Sequence, residues 1–437
     1  MGIIQASIPL FFILIAVELL YARLGRRSYY RLNDSLSDLS AGTVSQIAGI
    51  FTKVLLVGAY SWTFTHVRAQ QWLPVPAWPD DGMFTRTATG LVPHLAAIVS
   101  WAVAFCAVDA AYYWFHRVSH EVNLFWAGHV VHHSSEEYNL AVALRQSAVG
   151  GVFSWIFYIP LAMLGMTLEQ FTVCYALNLV YQFWIHTRAI GRMPAWAEWI
   201  LNTPSHHRVH HGVNSEYQDR NYAGVLIVWD RWFNTFTPER EEPVYGLTKP
   251  LASWNPWWAQ LHQYVSIATH VLRARSWNDR WRHVFGSPAW RPATDGGTVT
   301  IPPVASVTFL KFDPVVTSAL AYYALVHFAL VIPPALWLLT NVDTRSNGAL
   351  AAGCFYVALS LTNVGGILEG RRWAFAMEQA RLVAMLVTAA ALMVQGRDRL
   401  WLITLLTIGT ASMAMLWRHR EEFVFDSDEA MDHAQRH

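Results

Sequence analysis

Cysteine is scarce: Cys106, Cys174 and Cys354 are the only three in a chain of 437 residues. All three fall in long apolar stretches, so they read as small buried apolar side chains rather than as disulfide partners or metal ligands. Charge is also scarce. Asp, Glu, Lys and Arg make up 14% of the residues, and the net charge is +1 with histidine neutral. That balance makes a nucleic-acid-binding patch a poor alternative. No internal repeat and no low-complexity tract is evident, which counts against a transporter built from paired repeats. At this length a soluble chain would divide into two or three domains. A hydrophobic content of 54% argues against a soluble chain altogether.

The apolar residues are gathered in runs: Met1 to Leu20, then 41–63, 93–115, 150–166, 168–186, 315–339, 349–368, 375–394 and 398–417. Each is near the roughly 20 residues that cross a bilayer as a helix, the 150–166 and 168–186 pair being short. No small-residue cleavage site follows the first run, so it is expected to be an uncleaved anchor. The fold class predicted is all-α, a polytopic transmembrane bundle of about nine spans. The expected organisation is N-terminal spans over 1–92, a histidine-rich domain over 93–245, an interfacial segment over 246–312, four spans over 313–420 and a polar tail over 421–437. Within the interfacial segment, tryptophan and arginine mix in WNPWW and RARSWNDRWRH. That mixture suits the membrane–water boundary and predicts an interfacial helix near Trp254 to Arg275.

Charge sets an orientation. Arg23, Arg26, Arg27 and Arg31 follow the first span, and positive residues at span ends favour the cytoplasm. Counting spans from there brings every histidine-rich segment to the cytoplasmic side. The expected location is multi-pass in a bacterial inner membrane or the endoplasmic reticulum.

Histidine is what this chain has in quantity, with 19 residues. His116 and His120 form HxxxH, while His129, His132 and His133 form HxxHH, and His207, His210 and His211 repeat that pattern. Residues three and four apart share a helix face, so each box can aim its imidazoles at one point. Imidazole suits iron, zinc and copper, whereas magnesium and calcium prefer oxygen. A structural zinc site is complete with about four ligands, and the boxes offer about twice that number, which suggests two metals. A single HxxH is more often a surface feature; three spaced boxes are not.

HRVSHE, HVVHHSSEEYN, the isolated His186 in FWIHTR, and TPSHHRVHHGVN followed by NYAGVLIVWDRWFNTF together resemble the fatty acid hydroxylase and sterol desaturase superfamily. Within it, HHSSEEYN, the doubled His206–His207 and the four additional spans are similar to the alkylglycerol monooxygenase branch. The resemblance implies a non-haem di-iron centre that uses dioxygen to oxidise an unactivated C–H bond of a membrane lipid. It implies His116, His120, His129, His132, His133, His207, His210 and His211 as metal ligands, with His186 completing the set. It also implies Glu121, directly after the first box, as a base or hydrogen-bond acceptor, and a reduced pterin, tetrahydrobiopterin, as electron donor, although no pterin signature is readable from the residues. A desaturase of the same superfamily shares the cage and is not separated from a hydroxylase by the sequence.

Around the boxes, Asp109 lies within the third apolar run, seven residues and about two turns before His116 on the same helix face. A carboxylate at that depth is functional by default, and a partner of the cage is expected ahead of a helix-packing bond. Asp219, Asp230, Glu136 and Glu137 are further candidates, the last two equally suited to capping. Asn139 and Asn221 are expected to bond loop backbone. His206 lies about 100° from His207 around a helix and is assigned a supporting role. Arg117 and Arg208 fit either a phosphate headgroup or a carboxylate partner. His94, His262, His270, His283, His327 and His419 lack box spacing and read as packed or interfacial. Phe115, Tyr181, Phe183 and Trp184 could line a lipid tunnel, though bundle packing explains each as well. Two other classes stay open: a histidine-relay transporter and a zinc hydrolase, which needs only three protein ligands.

Overall fold

The computed structural model describes residues 3–73, 78, 83–87, 90–299, 309–396 and 399–424. Helices dominate, joined by one short antiparallel pair in which Phe84–Thr87 runs beside Gly90–Pro93. The chain forms two compact units. One comprises the chain up to Tyr30 with Ala48–Thr248 and Gln260–Phe309; the other comprises Arg31–Ile47, Lys249–Ala259 and the chain from Leu310 onward.

Five helices are long and apolar enough to cross a membrane: α1 (Ile3–Leu24), α3 (Leu95–Glu121), Ser318–Thr340, Asn347–Leu368 and Arg372–Val394. Helix α2 (Leu32–His66) covers the expected 41–63 run and belongs to a bent pair that counts as a sixth if taken as one span. These helices make the chain an integral membrane protein. The Gly150–Met163 helix has 14 residues, well short of the roughly 20 that a crossing requires. It stops because Gly165 adopts φ +86°, a left-handed conformation open to glycine. The chain then restarts at Leu168–Trp184, where the Thr167 hydroxyl accepts from the Gln170 N–H at 3.2 Å, a helix start of capping-box type.

In the first unit the later part of α2, α3 and these two shorter helices close on one apolar core. Tyr60, Ala104, Val108, Tyr158, Met166 and Phe171 are its centre, with the Tyr60 and Phe171 rings stacked at 4.4 Å. The Tyr60 hydroxyl donates to the Met166 carbonyl at 3.0 Å, so a buried phenol is satisfied while it packs. α1 joins through Phe11, stacked on Phe183 at 4.2 Å. Near its end, the buried Glu18 carboxylate accepts from the Leu140 N–H at 2.8 Å and from the Tyr30 and Thr187 hydroxyls. Phe183 and Tyr181, whose hydroxyl donates to the Asn202 carbonyl at 2.8 Å, are thus occupied in packing.

In the second unit the helices Ser318–Thr340, Asn347–Leu368, Arg372–Val394 and Arg399–Arg418 follow one another with short connections. Thr317 and Ser346 cap the first two, and the first continues through Pro333 and Pro334. A buried ion pair on Arg372–Val394 is bonded to the neighbouring helices. Glu378 receives Arg381 through Nε at 2.7 Å, Tyr323 at 2.7 Å and Asn363 at 2.9 Å, and Arg381 also donates to His327 Nδ1 at 2.8 Å. His327 Nε2 is therefore the donor to Ser412 at 3.0 Å.

The segment expected to be interfacial contains a helix, Pro256–Arg273, with Trp258, Leu261 and Val265 exposed. Of the cysteines, Cys174 is buried and Cys354 half-buried, but Cys106 is exposed. Its apolar surroundings in sequence therefore mark an outward face of α3 rather than a core position. The polar tail from residue 425 onward lies outside the described residues.

Candidate metal centre

Each histidine box sits where a helix ends. α3 runs past its apolar stretch and carries His116 and His120 in its last two turns before Val122 turns extended. His129 is the N-cap of a single turn, Val130–His133, that presents His132 and His133. The third box rides on Pro204–His210, which starts with proline at its first position behind Thr203 and ends at His211. Proline suits that place because the N–H it lacks has no intrahelical partner there. His186 lies two residues beyond the end of Leu168–Trp184.

These turns converge. All nine histidines expected as ligands fall into two groups, His116, His120, His129, His133 and His210 in one and His132, His186, His207 and His211 in the other. Within each group the candidate ligand nitrogens lie within 4.8 Å of one another. Burial pushes the imidazoles of His129, His133, His186, His207, His210 and His211 well below their ordinary value, with neighbouring imidazoles adding to the effect. Burial takes His132 down to about 4. Neutral imidazole is the form that binds metal.

Tautomers follow from the backbone. A carbonyl can only accept, so each ring nitrogen that meets one carries the proton. His116 Nδ1 donates to the Tyr222 carbonyl at 2.7 Å, His132 Nδ1 to Arg145 at 2.9 Å, His186 Nδ1 to Gln182 at 2.7 Å and His210 Nδ1 to Arg220 at 2.9 Å. In a neutral ring the other nitrogen is then a bare lone pair. His132 Nε2 and His186 Nε2, both bare, face each other at 3.2 Å. No proton is available to bond them. A cation between them turns repulsion into ligation, and ligand nitrogens about 2.0–2.1 Å from a metal lie roughly 3–4 Å apart. The buried Nε2 atoms of His120, His210 and His211 have no partner among the described residues, as expected of nitrogens reserved for an ion. The donor set therefore fits a pair of nitrogen-ligated metals.

The groups around the cage differ from several expectations. Asp109 does not touch a histidine. Its carboxylate accepts from Asn178 at 2.6 Å, the Val225 N–H at 2.9 Å, the Leu226 N–H at 3.0 Å and Trp229 Nε1 at 2.8 Å. Seven residues along α3 place it about 10 Å up the axis from His116, out of reach. Asp230 holds the same segment from the other end, accepting from the Tyr222 and Ala223 N–H groups at 2.8 Å each, and burial raises it to about 6. The two carboxylates thus clamp the turn whose Tyr222 carbonyl orients His116. Gly224 is required inside it, since a Cβ there would meet Asn178, Asp109 and Tyr112 at 2.9 Å each.

Glu121 is exposed and pairs with Arg117 at 2.8 Å; the acidic group facing the first box is Asp219, 3.8 Å from His120 Nδ1. His206 points out of the cage to Glu198 at 2.9 Å. Arg208 forms a two-pronged pair with Glu239 at 2.7 Å for each bond, and Glu137 pairs with Arg188 at 2.6 Å. Asn139 bonds the Tyr29 carbonyl at 2.8 Å, and Asn221 bonds the carbonyls of His206 and Thr237 at 3.0 and 2.8 Å. Both serve loop backbone, as their residue type suggests. The buried Arg145, which donates to the Val131 carbonyl at 2.7 Å and to Ser134 at 2.8 Å, is a positioning group with no sequence signal beyond a lone arginine. The carbonyls that fix the histidine tautomers have none at all.

A cage of nine imidazoles at helix ends in an integral membrane protein defines a class, and the fatty acid hydroxylase family pattern matches residues 101–235. The chain belongs to that family and is a lipid-hydroxylating membrane oxygenase. Over most of its length it is similar to alkylglycerol monooxygenases. It is 35% identical to the one from Xenopus tropicalis over 385 residues, covering 88% of this chain and 81% of that protein. It is 37% identical to the one from Homo sapiens over 389 residues, covering 88% and 82%. An ornithine lipid hydroxylase from Rhizobium tropici is 27% identical over 168 residues, 35% of this chain and 48% of that protein. No solved structure matches.

Proposed function

We propose that the two histidine groups hold one iron ion each and that the chain hydroxylates an ether lipid at the carbon beside the ether oxygen, as its alkylglycerol monooxygenase relatives suggest. The observation that carries the reading is the pair of bare Nε2 atoms of His132 and His186 at 3.2 Å, with five nitrogens gathered beside them in the other group. Iron in that setting supplies the reduction of dioxygen. The lipid C–H bond gives up two electrons and a reductant gives two more. Together they convert dioxygen to the new hydroxyl and one water. A hydroxyl placed beside an ether oxygen makes a hemiacetal, which collapses to an aldehyde and a glycerol lipid.

The chain's own residues orient and exclude. The carbonyls of Tyr222, Arg145, Gln182 and Arg220 fix the imidazole tautomers and raise ring basicity. Asp109 and Asp230 hold the Tyr222 turn in place. Tyr138, buried beside His186 and His211, keeps water from that side. We place the cage on the cytoplasmic side of a bundle of about nine spans, because Arg23 lies in the last turn of α1 and Arg26, Arg27 and Arg31 follow it, and take a reduced pterin as the electron donor.

The test is aerobic turnover of a mixed lipid extract by iron-loaded protein with tetrahydropterin under labelled dioxygen, read by mass spectrometry. Label in the aldehyde or in a hydroxylated lipid is expected. Desaturated lipid without label would instead assign a desaturase, and no oxygen-dependent product with any reductant would refute the oxygenase reading.

A further inference from the structure

Leu95, Val99, Val103, Cys106 and Trp114 are exposed along one face of α3. Steps of four, four, three and eight residues return to nearly the same side of a helix. In an integral membrane protein such an apolar stripe faces lipid. Leu95 and Trp114 are about 28 Å apart along the axis at 1.5 Å per residue, which matches the roughly 30 Å of hydrocarbon in a bilayer. Trp114 thus stands where the hydrocarbon ends, the level at which tryptophan rings settle.

That ring is continuous with a second exposed surface in the same unit. Trp114 meets Phe233 edge-on at 4.8 Å, and the short helix Val228–Trp232 beside it leaves Trp232 71% exposed. The helix Ala195–Ile200 adds Trp196 at 68% and Trp199 at 60%. Arg231 joins the two helices by donating to the carbonyls of Trp199 at 3.2 Å and Glu198 at 3.0 Å. Its guanidinium has no carboxylate partner among the described residues, the Glu198 carboxylate being taken by His206. The indole N–H groups of Trp196, Trp199 and Trp232 are likewise without a partner among the described residues. Large apolar rings gathered on one surface mark an interaction site. A phospholipid headgroup layer supplies what these lack: apolar surroundings for the rings, oxygen acceptors for the N–H groups and phosphate for the guanidinium.

The protein's own bonds fix the depth. Trp229, on the same short helix as Trp232, donates Nε1 to Asp109 at 2.8 Å, and the Leu226 N–H does so at 3.0 Å. Asp109 lies about 7.5 Å before Trp114 along α3. The segment from Leu226 to Trp232 therefore runs beside the apolar part of α3 and not in the water beyond it. We propose that Ala195–Ile200 and Val228–Trp232 form a docking surface for the phospholipid headgroup layer, which holds the third histidine box, lying between them in the chain, at the bilayer boundary and presents bilayer lipid to the cage. His116 is about 3 Å past Trp114 along the axis, so the cage meets a lipid near its headgroup rather than at the end of its chain. This consequence for the substrate rests on the oxygenase reading above; the docking does not.

Two readouts test it, the first without metal or turnover. Trp232→Cys, in a full chain whose Cys106, Cys174 and Cys354 are replaced by alanine, carries a nitroxide into phosphatidylcholine nanodiscs. Relaxation of the label by oxygen, which gathers in the bilayer, is expected to exceed relaxation by a nickel chelate, which stays in water. Trp199→Cys should agree, and it stands in if Trp232→Cys does not fold. Relaxation dominated by the chelate overturns the proposal. So does shielding from both reagents with spin–spin broadening, since a second copy of the chain then covers this face. The second readout is turnover of a long-chain ether lipid dispersed in the same bilayer. Trp199→Ser with Trp232→Ser should raise the apparent KM roughly tenfold and leave kcat within about twofold, because lipid presentation is lost while no metal ligand is touched. A parent-like KM overturns the proposal. Failure of the oxygenase reading would appear separately, as absence of labelled product from a parent chain whose nitroxide still reports bilayer depth.

Discussion

Replacing Asp109 by asparagine separates scaffold from chemistry. Four donors converge on its carboxylate, two of them backbone N–H groups of Val225 and Leu226. Asparagine keeps one oxygen and presents an NH2 group where the other stood, so two of the four donors lose their acceptor. A hydrogen bond to a charged group contributes about 1.5–3 kcal/mol, which puts the loss at about 3–6 kcal/mol. Against a typical stability of about 5–15 kcal/mol, that is a large fraction. Thermal unfolding in detergent, followed by tryptophan fluorescence, should show a clear fall in the melting temperature. Protein that remains folded should keep its metal, because Asp109 touches no ligand. An unchanged melting temperature with lost turnover would refute this reasoning and restore Asp109 to the chemistry.

Gly224→Ala acts on the same turn, and a Cβ 2.9 Å from three neighbouring atoms should cost about 1–3 kcal/mol in the same melt. Glu121→Gln breaks an exposed pair with Arg117 and should change stability by no more than about 1 kcal/mol, with metal content unaltered by elemental analysis. His132→Ala should lower metal content, whereas His206→Ala, which loses its bonds to Glu198 and the Thr203 N–H and its contact with Phe236, should not. The metal-free protein should lose stability in acid. His132 titrates at about 4 when folded and near 6.5 when unfolded, so its contribution is complete above about 6.5 and is lost as pH falls from there toward 4. Six further cage histidines are shifted in the same direction. Melting temperatures between pH 7 and pH 5 check this, and a flat profile would contradict it.

The cage was legible in the sequence because its chemistry is carried by side chains at helical spacing. His116 and His120 share a face of α3, and the two HxxHH boxes each sit on one turn. His186 had no box and was reached only through the resemblance. What holds the rings was not legible, since a backbone carbonyl such as that of Tyr222 or Gln182 looks the same at every residue. Sequence proximity also misled. Glu121 follows His120 directly, but one residue turns a helix by about 100°, and the side chain faces away toward Arg117. Asp109 shares the His116 face of α3 by its spacing, yet periodicity fixes a face and not a distance. Its partners come from residues 225–229, brought beside it only by the fold. The same holds for Glu18, whose role in tying α1 to Leu140 and Thr187 could not be read from an acidic residue in an apolar run.

The most direct test of the account is the count of iron bound per chain by the anaerobically loaded protein, taken for the parent and for variants that empty one group at a time. Two irons per chain are expected for the parent. His132→Ala with His186→Ala should leave one, as should His116→Ala with His133→Ala. A parent that binds a single iron, or paired variants that lose both irons or neither, would contradict the division of these nine histidines into two metal sites.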